Sequence, residues 1–180
     1  MANFNTFLPM LLEFEGGWVD DPVDPGGATN KGITFQTFKA YGPRLLGIPA
    51  TLENLKKLTD AQAGTIYELK FWDKIDCNHI ANQDLANILA DFYVNAGSNA
   101  IKILQRILNN NFSAGISVDG SMGPATCAAM QAAESKDLPR LYNTYKSNRI
   151  RYYRDLVGRK PELQKFLKGW LNRVAKFPEM

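Results

Sequence analysis

Apolar residues recur at intervals of three and four through most of this chain, and that spacing belongs to helices. Phe4, Phe7, Leu8, Leu11 and Leu12 follow it. So do Leu85, Ile88, Leu89 and Phe92, then Ile101, Leu104, Ile107 and Leu108. Near the C-terminus Leu163, Phe166, Leu167, Trp170, Leu171 and Val174 repeat it, a stripe that must pack on something. The only candidate strands are short, near Trp18 and Ile33. The fold class expected is mainly α, with at most a short β-hairpin.

Punctuation residues set the expected boundaries. Pro9 is tolerated only near a helix start, which points to Asn5 as the cap of the first helix and to Gly16-Gly17 as its stop. Thr34 is expected to cap a helix ending near Gly42-Pro43. Thr59-Asp60-Ala61-Gln62 reads as a capping box opening a helix through Trp72. Asp84 is expected to cap the next, which ends at Asn95-Ala96-Gly97, and Ser98 begins another. "SVDGSMGPAT" is a turn with Pro124 at the first position of a helix. Two further helices are expected, roughly 138–156 and 161–176.

Bulk properties narrow the function classes. A chain of 180 residues, 45% hydrophobic and 22% charged, suits one compact globular domain, or one domain with a closely packed appendix. No apolar run is long enough to span a bilayer, and "MANFNTFLPMLLEF" lacks a basic leader and a cleavage site. The expectation is synthesis in the bacterial cytoplasm without a signal peptide and no stable membrane insertion. Cys77 and Cys127 read as structural thiols, and His79 is the only histidine, so no metal is expected. Residues 136–180 hold 12 Lys+Arg against 4 Asp+Glu, a net +8, whereas residues 1–135 carry −5. A basic C-terminal quarter suits an anionic polymer such as cell wall, nucleic acid or a membrane surface; a solvated helical face explains it as well. No motif that reads nucleic acid accompanies it.

One carboxylate stands out. Positions 8, 11, 12 and 15 share a helical face; three are leucines and the fourth is Glu15. A glutamate on an apolar face is either a packing oddity held by hydrogen bonds or an acid whose burial favours the protonated form. Asp20, Asp21 and Asp24 follow in a loop rich in Pro and Gly. Cleavage of a glycosidic bond usually needs an acid on one side and a second carboxylate on the other. Asp21-Pro22 and Asp24-Pro25 equally fit plain turn capping. Trp18, Tyr93, Asn95 and Gln105 are candidate sugar-binding groups, since flat rings stack on a pyranose and amides bond its hydroxyl and acetamido groups. Core packing is the competing explanation for each aromatic.

The stretch "EGGWVDDPVDPGGATNKGIT" resembles the signature of glycoside hydrolase family 108. "IYELKFWDKI", "DFYVNAG", "LQRIL" and "VDGSMGPAT" resemble later parts of that family and the peptidoglycan-binding-like segment often joined to it. The resemblance implies a lysozyme-like helical fold and N-acetylmuramidase activity of the phage-endolysin kind, without a cofactor. It places the catalytic glutamate on Glu15. Phage lysozymes of the T-even kind put eight residues between Glu and Asp and five more before a Thr. Glu15 and Asp24 keep the first interval; the second lands on Asn30, with Thr29 beside it, and Thr34 is a further candidate. Trp18 stands where tyrosine is commoner. The resemblance also implies a catalytic region over 1–95, a helical peptidoglycan-binding-like region over 96–180, and action on peptidoglycan after holin-type release. The apolar stripe of the C-terminal helices is expected to dock on the N-terminal helices, making one compact unit, and a monomer is expected. Two alternatives stay open: a lytic transglycosylase, and a wall-binding protein without cleavage.

Overall fold

A computed structural model describes residues 1–20 and 27–180. The helical elements are α1 (Phe4–Glu15), α2 (Phe35–Leu46), α3 (Leu52–Lys56), α4 (Asp60–Tyr67), α5 (Gln83–Ala96), α6 (Ser98–Phe112), α7 (Pro124–Arg159) and α8 (Gln164–Ala175). The strands are two residues each, β1 (Thr29–Asn30) and β2 (Ile33–Thr34). The chain is mainly α, as the periodicity requires. The described residues pack as two compact bodies: residues 3–74, and residues 1–2 together with 75–180.

In the smaller body α1 begins earlier than its proline suggests. Asn3 is the cap, its side chain accepting from the Asn5 amide at 2.8 Å, and Pro9 lies inside the helix. A proline there removes a backbone bond and costs about 3 kcal/mol. Aromatic packing offsets it. Phe7 stacks on Trp72 with centroids 5.4 Å apart, Phe4 meets the same ring edge-on at 5.7 Å, and all three are buried. Likewise α2 runs past Gly42-Pro43 to cap at Gly47.

The capping box at Thr59 and Gln62 is present with both reciprocal bonds. The helix it opens does not stay regular to Trp72: Glu68–Trp72 is a π turn. The insertion has a packing reason. Tyr67 and Trp72, five residues apart, are both buried, while Phe71 is left half-buried. Regular α spacing would turn Phe71 toward the core in place of the tryptophan. Gly64 serves closeness: a Cβ there would stand 2.6 Å from Leu8 Cδ2, so α4 approaches α1 only because that atom is missing.

In the larger body α5, α6 and α7 bury Leu85, Ile88, Leu89, Phe92, Ile101, Leu104, Leu108, Leu141 and Tyr145. Asn82, rather than Asp84, caps α5, accepting from the Leu85 amide at 2.9 Å. Within α7 the backbone breaks at Asp137 (φ −162°, ψ 77°), whose side chain accepts from the Arg140 amide at 3.1 Å. It therefore caps a second helical stretch, which is the start expected near 138. The stripe on α8 packs on α7. Trp170 stacks on Tyr153 with centroids 5.0 Å apart, and Val174 is buried.

Two of the basic residues of the C-terminal quarter are interior. Lys146 donates to the Phe177 carbonyl at 2.7 Å, and Arg149 is wholly buried against Asp91. They do not belong to a solvated face.

Candidate active site

The end of α1, the β-hairpin and the end of α4 converge in the smaller body. After Glu15 the chain turns at Gly16-Gly17, and Val19 bridges to Thr29 through two backbone hydrogen bonds of 2.8 Å. β1 and β2 pair antiparallel, Thr29 opposite Thr34 and Asn30 opposite Ile33. The two-residue turn between them is Lys31-Gly32, with φ of 50° and 72°. Two successive positive φ values give the type I′ geometry that matches strand twist, and glycine is the natural second residue.

Gly32 has a second constraint. An added Cβ would overlap both the Tyr67 hydroxyl and Glu15 Oε2, and would sit 3.0 Å from Glu15 Cβ. The glutamate carboxylate and the tyrosine hydroxyl thus press on the same face of the turn. The Tyr67 hydroxyl donates to the Lys31 carbonyl at 3.0 Å, which fixes the ring against the turn. Lys31 is held in its left-handed conformation from the other end by an ion pair with Asp60 at 2.6 Å. Asn30 is buried and donates to the Leu55 and Lys56 carbonyls at 2.9 and 3.0 Å, anchoring the hairpin to α3.

Glu15 is half-buried rather than sealed in an apolar face. Of the leucines sharing its face, Leu11 is buried while Leu8 and Leu12 are only half so. One side of the carboxylate is therefore organised by Tyr67 and the turn, in a site that keeps access to solvent. Trp18 is half-buried nearby in sequence, with Lys56 Nζ 5.7 Å from its ring centre.

Other expected site residues carry structural bonds. Thr29 Oγ1 donates to the Gly27 carbonyl at 3.3 Å. Thr34 caps α2, its Oγ1 accepting from the Thr37 amide at 3.2 Å. Asp24 and Asp21 lie outside the described residues. Tyr93, Asn95 and Gln105 belong to the larger body. Burial pushes the Tyr93 phenol up from its usual range. Asn95 is exposed and donates to the Asp91 carbonyl at 2.9 Å. Gln105 is buried. Its amide nitrogen donates to Asp119, the Ser121 carbonyl and Thr126, and its oxygen accepts from the Gly120 amide. Both of its amide hydrogens and one lone pair of its oxygen are engaged in pinning the 113–123 loop, and the side chain is buried there.

Tyr67 was not singled out as a site residue. The available signal is a tyrosine on the buried face of a helix, whose hydroxyl must find a polar partner. Glu68 was also passed over. It opens the π turn, and burial, then the charge of Asp73, push its carboxyl above the usual range. Cys127, Asp76 and His79 do form a cluster, with Asp76 at 3.5 Å from the thiol and 2.5 Å from the imidazole. The carboxylate sits between the other two, and burial together with Asp76 pushes the thiol up to about 11. That is the reverse of an activated cysteine. Among the described residues no group of three or more His, Cys, Asp or Glu side chains could hold a metal ion.

A sequence model described as glycosyl hydrolase 108 matches residues 8–97. The chain belongs to that family. It is a glycoside hydrolase whose matched region contains Glu15, the hairpin and Tyr67. A second model, described as a predicted peptidoglycan domain, matches residues 99–175, and together the two support a peptidoglycan hydrolase. The solved structure of Brucella abortus SagA is similar to the hydrolase over 97% of this chain and 90% of that one, at 30% identity and a TM-score of 0.73. Comparison with curated protein sequences gave no significant match. The family boundary falls at Gly97, between α5 and α6, whereas α5 packs with α6 and α7 in the larger body. No helix of the described residues is long and apolar enough to cross a membrane.

Proposed function

We propose that this hydrolase is an N-acetylmuramidase that cuts the β-1,4 bond between N-acetylmuramic acid and N-acetylglucosamine, with Glu15 as the general acid. The observation that carries the reading is the crowding of the Glu15 carboxylate and the Tyr67 hydroxyl onto the side-chain-free face of Gly32. A carboxyl held on one side and open on the other can deliver its proton to a leaving oxygen in one geometry. Asp24 stabilises the oxocarbenium-like state or orients water. Thr29 is a further catalytic candidate and Trp18 and Thr34 are candidates for substrate contacts beside Glu15, while Tyr93 and Asn95 are candidate sugar-binding residues of the larger body. The chain acts as a monomer on the wall and reaches it in the manner of an endolysin, by holin-type release. Residues 1–95 are the catalytic region and residues 96–180 the peptidoglycan-binding-like region.

The test is turnover on purified peptidoglycan with mass spectra of the products. Glu15→Gln should lower lysis by at least about 10²–10⁴-fold with an unchanged circular dichroism spectrum. Products should be reducing muropeptides, and Asp24→Asn should also lose turnover while staying folded. A Glu15→Gln protein that lyses normally refutes the role of the glutamate. Anhydro-muramyl products refute hydrolysis in favour of transglycosylation.

A further inference from the structure

A groove of the larger body lies between α6 and α7, far along the sequence from Glu15. The two helices run antiparallel. The Tyr145 hydroxyl donates to the Ala100 carbonyl at 3.2 Å, Asn99 meets the Tyr152 hydroxyl at 3.4 Å, and the Arg140 guanidinium lies 5.6 Å from the Phe112 ring centre. Their outward stripes face one another across a cavity of about 540 Å³. That volume is within the usual range for a ligand site. The α6 stripe steps through Asn99, Arg106 and Asn110 at helical spacing, and the α7 stripe through Asn148, Arg151 and Arg159.

The lining is unlike an incidental surface crease. It holds three guanidiniums against one carboxylate, Asp155, and a concentration of asparagine amides. Arg151 is braced by the Asn148 oxygen at 2.6 Å. Among the described residues the side chains of Arg106, Asn110, Asn111, Asp155 and Arg159 make no hydrogen bond or ion pair. The half-buried Tyr152 ring supplies an apolar wall, held edge-on against Phe92 with centroids 5.2 Å apart.

Guanidiniums take carboxylates in paired hydrogen bonds, and asparagine side chains match the donors and acceptors of peptide groups. From this lining we infer that the α6–α7 groove binds the carboxylate-bearing stem peptides of peptidoglycan, with Arg106 and Arg159 as the carboxylate anchors. The inference rests on the reading of the chain as a peptidoglycan hydrolase and adds where, and by which component, the wall is held. Glycan whose muramic lactyl groups are tied up in amide bonds to the stem peptides offers hydroxyl and acetamido groups but no charge for three arginines. A phosphate polymer would leave Asp155 opposed and the amides idle, whereas a stem peptide that carries a free amino group uses both.

The experiment uses the full chain carrying Glu15→Gln, so that the substrate survives, and measures sedimentation with purified sacculi freed of phosphate polymers. The comparison is the same sacculi stripped of stem peptides by an amidase, with the lactyl carboxylates that this frees then capped as methylamides. Adding Arg106→Gln and Arg159→Gln should weaken binding to intact sacculi at least about tenfold and leave binding to stripped glycan unchanged. Both arginines are exposed, so an unaltered melting curve is expected and serves as the folding control. Unchanged affinity for intact sacculi overturns the proposal, as does an equal loss on stripped glycan. A loss seen only on walls that keep their phosphate polymers also overturns it. If the Glu15→Gln parent binds no peptidoglycan at all, the underlying reading falls and the groove assignment with it. That result is distinct from a loss confined to the arginine variants.

Discussion

Asp91→Asn isolates the ionic centre of the larger body. The Asp91 carboxylate has no exposed surface and accepts from Arg149 Nη2 at 2.5 Å and from Arg173 Nε and Nη2 at 3.0 and 2.6 Å. Arg149 is equally buried; its Nε and Nη1 have no hydrogen-bond partner among the described residues, and its guanidinium lies 5.0–5.7 Å from the Phe92, Phe177 and Tyr153 ring centres. The substitution keeps the side-chain shape and removes the one negative charge between two guanidiniums. Leaving a buried charge without its counter-ion costs about 3–5 kcal/mol. For a protein of this size each kcal/mol lowers the melting temperature by about 2–4 °C, so a fall of roughly 6–20 °C is expected. Circular dichroism melts and urea midpoints measure it, and because the pair is dry, raising salt should change it little. The triple replacement Asp91→Leu, Arg149→Met, Arg173→Met should lose less than the single change, since it strands no charge. An Asp91→Asn protein within about 1 kcal/mol of the parent would refute the account, and so would a triple variant less stable than the single one. Below its melt, Asp91→Asn should still lyse peptidoglycan, because the carboxylate is engaged by arginines rather than by substrate.

Gly32→Ala should cost about 1–2 kcal/mol from the left-handed backbone alone. It should lower turnover by about 10²-fold, because Glu15 and Tyr67 must move aside; lysis rates beside a melting curve separate the two effects. Cys127 should alkylate slowly at pH 8 and accelerate as pH rises toward about 11, since only the thiolate reacts. Asp76→Asn should restore part of the rate, the larger effect of burial remaining; site-resolved mass spectrometry after iodoacetamide treatment reads both, and full-rate labelling at pH 8 would count against the buried placement. Truncation after about residue 115 removes α7 and α8 from α5 and α6 and leaves Asp91 without either arginine, so poorly soluble protein is expected. A soluble fragment with its own sharp melt would contradict that.

Helical periodicity and turn residues were enough to locate most elements, because three- and four-residue spacing and side-chain caps such as Thr34 and Thr59 act locally. The Glu-Gly-Gly stretch and the Thr-Asn-Lys-Gly-Ile-Thr turn likewise carry the family resemblance in local sequence alone. Local signals misplaced the start of α1 and the regularity of the helix to Trp72, since both depend on burying Phe4, Phe7 and Trp72 together. The same limit applies to charge. Arg149 and Lys146 look like surface cations in a basic segment, yet partners 58 and 31 residues away draw them inside. Gln105 reads as a sugar-binding amide until the loop it pins is seen. Tyr67 acquires meaning only when α4 brings its hydroxyl to the hairpin turn. Residue type and spacing determine what a segment prefers by itself. Which groups meet across the chain is decided by the packing of apolar surface between elements, and a sequence does not display that sum.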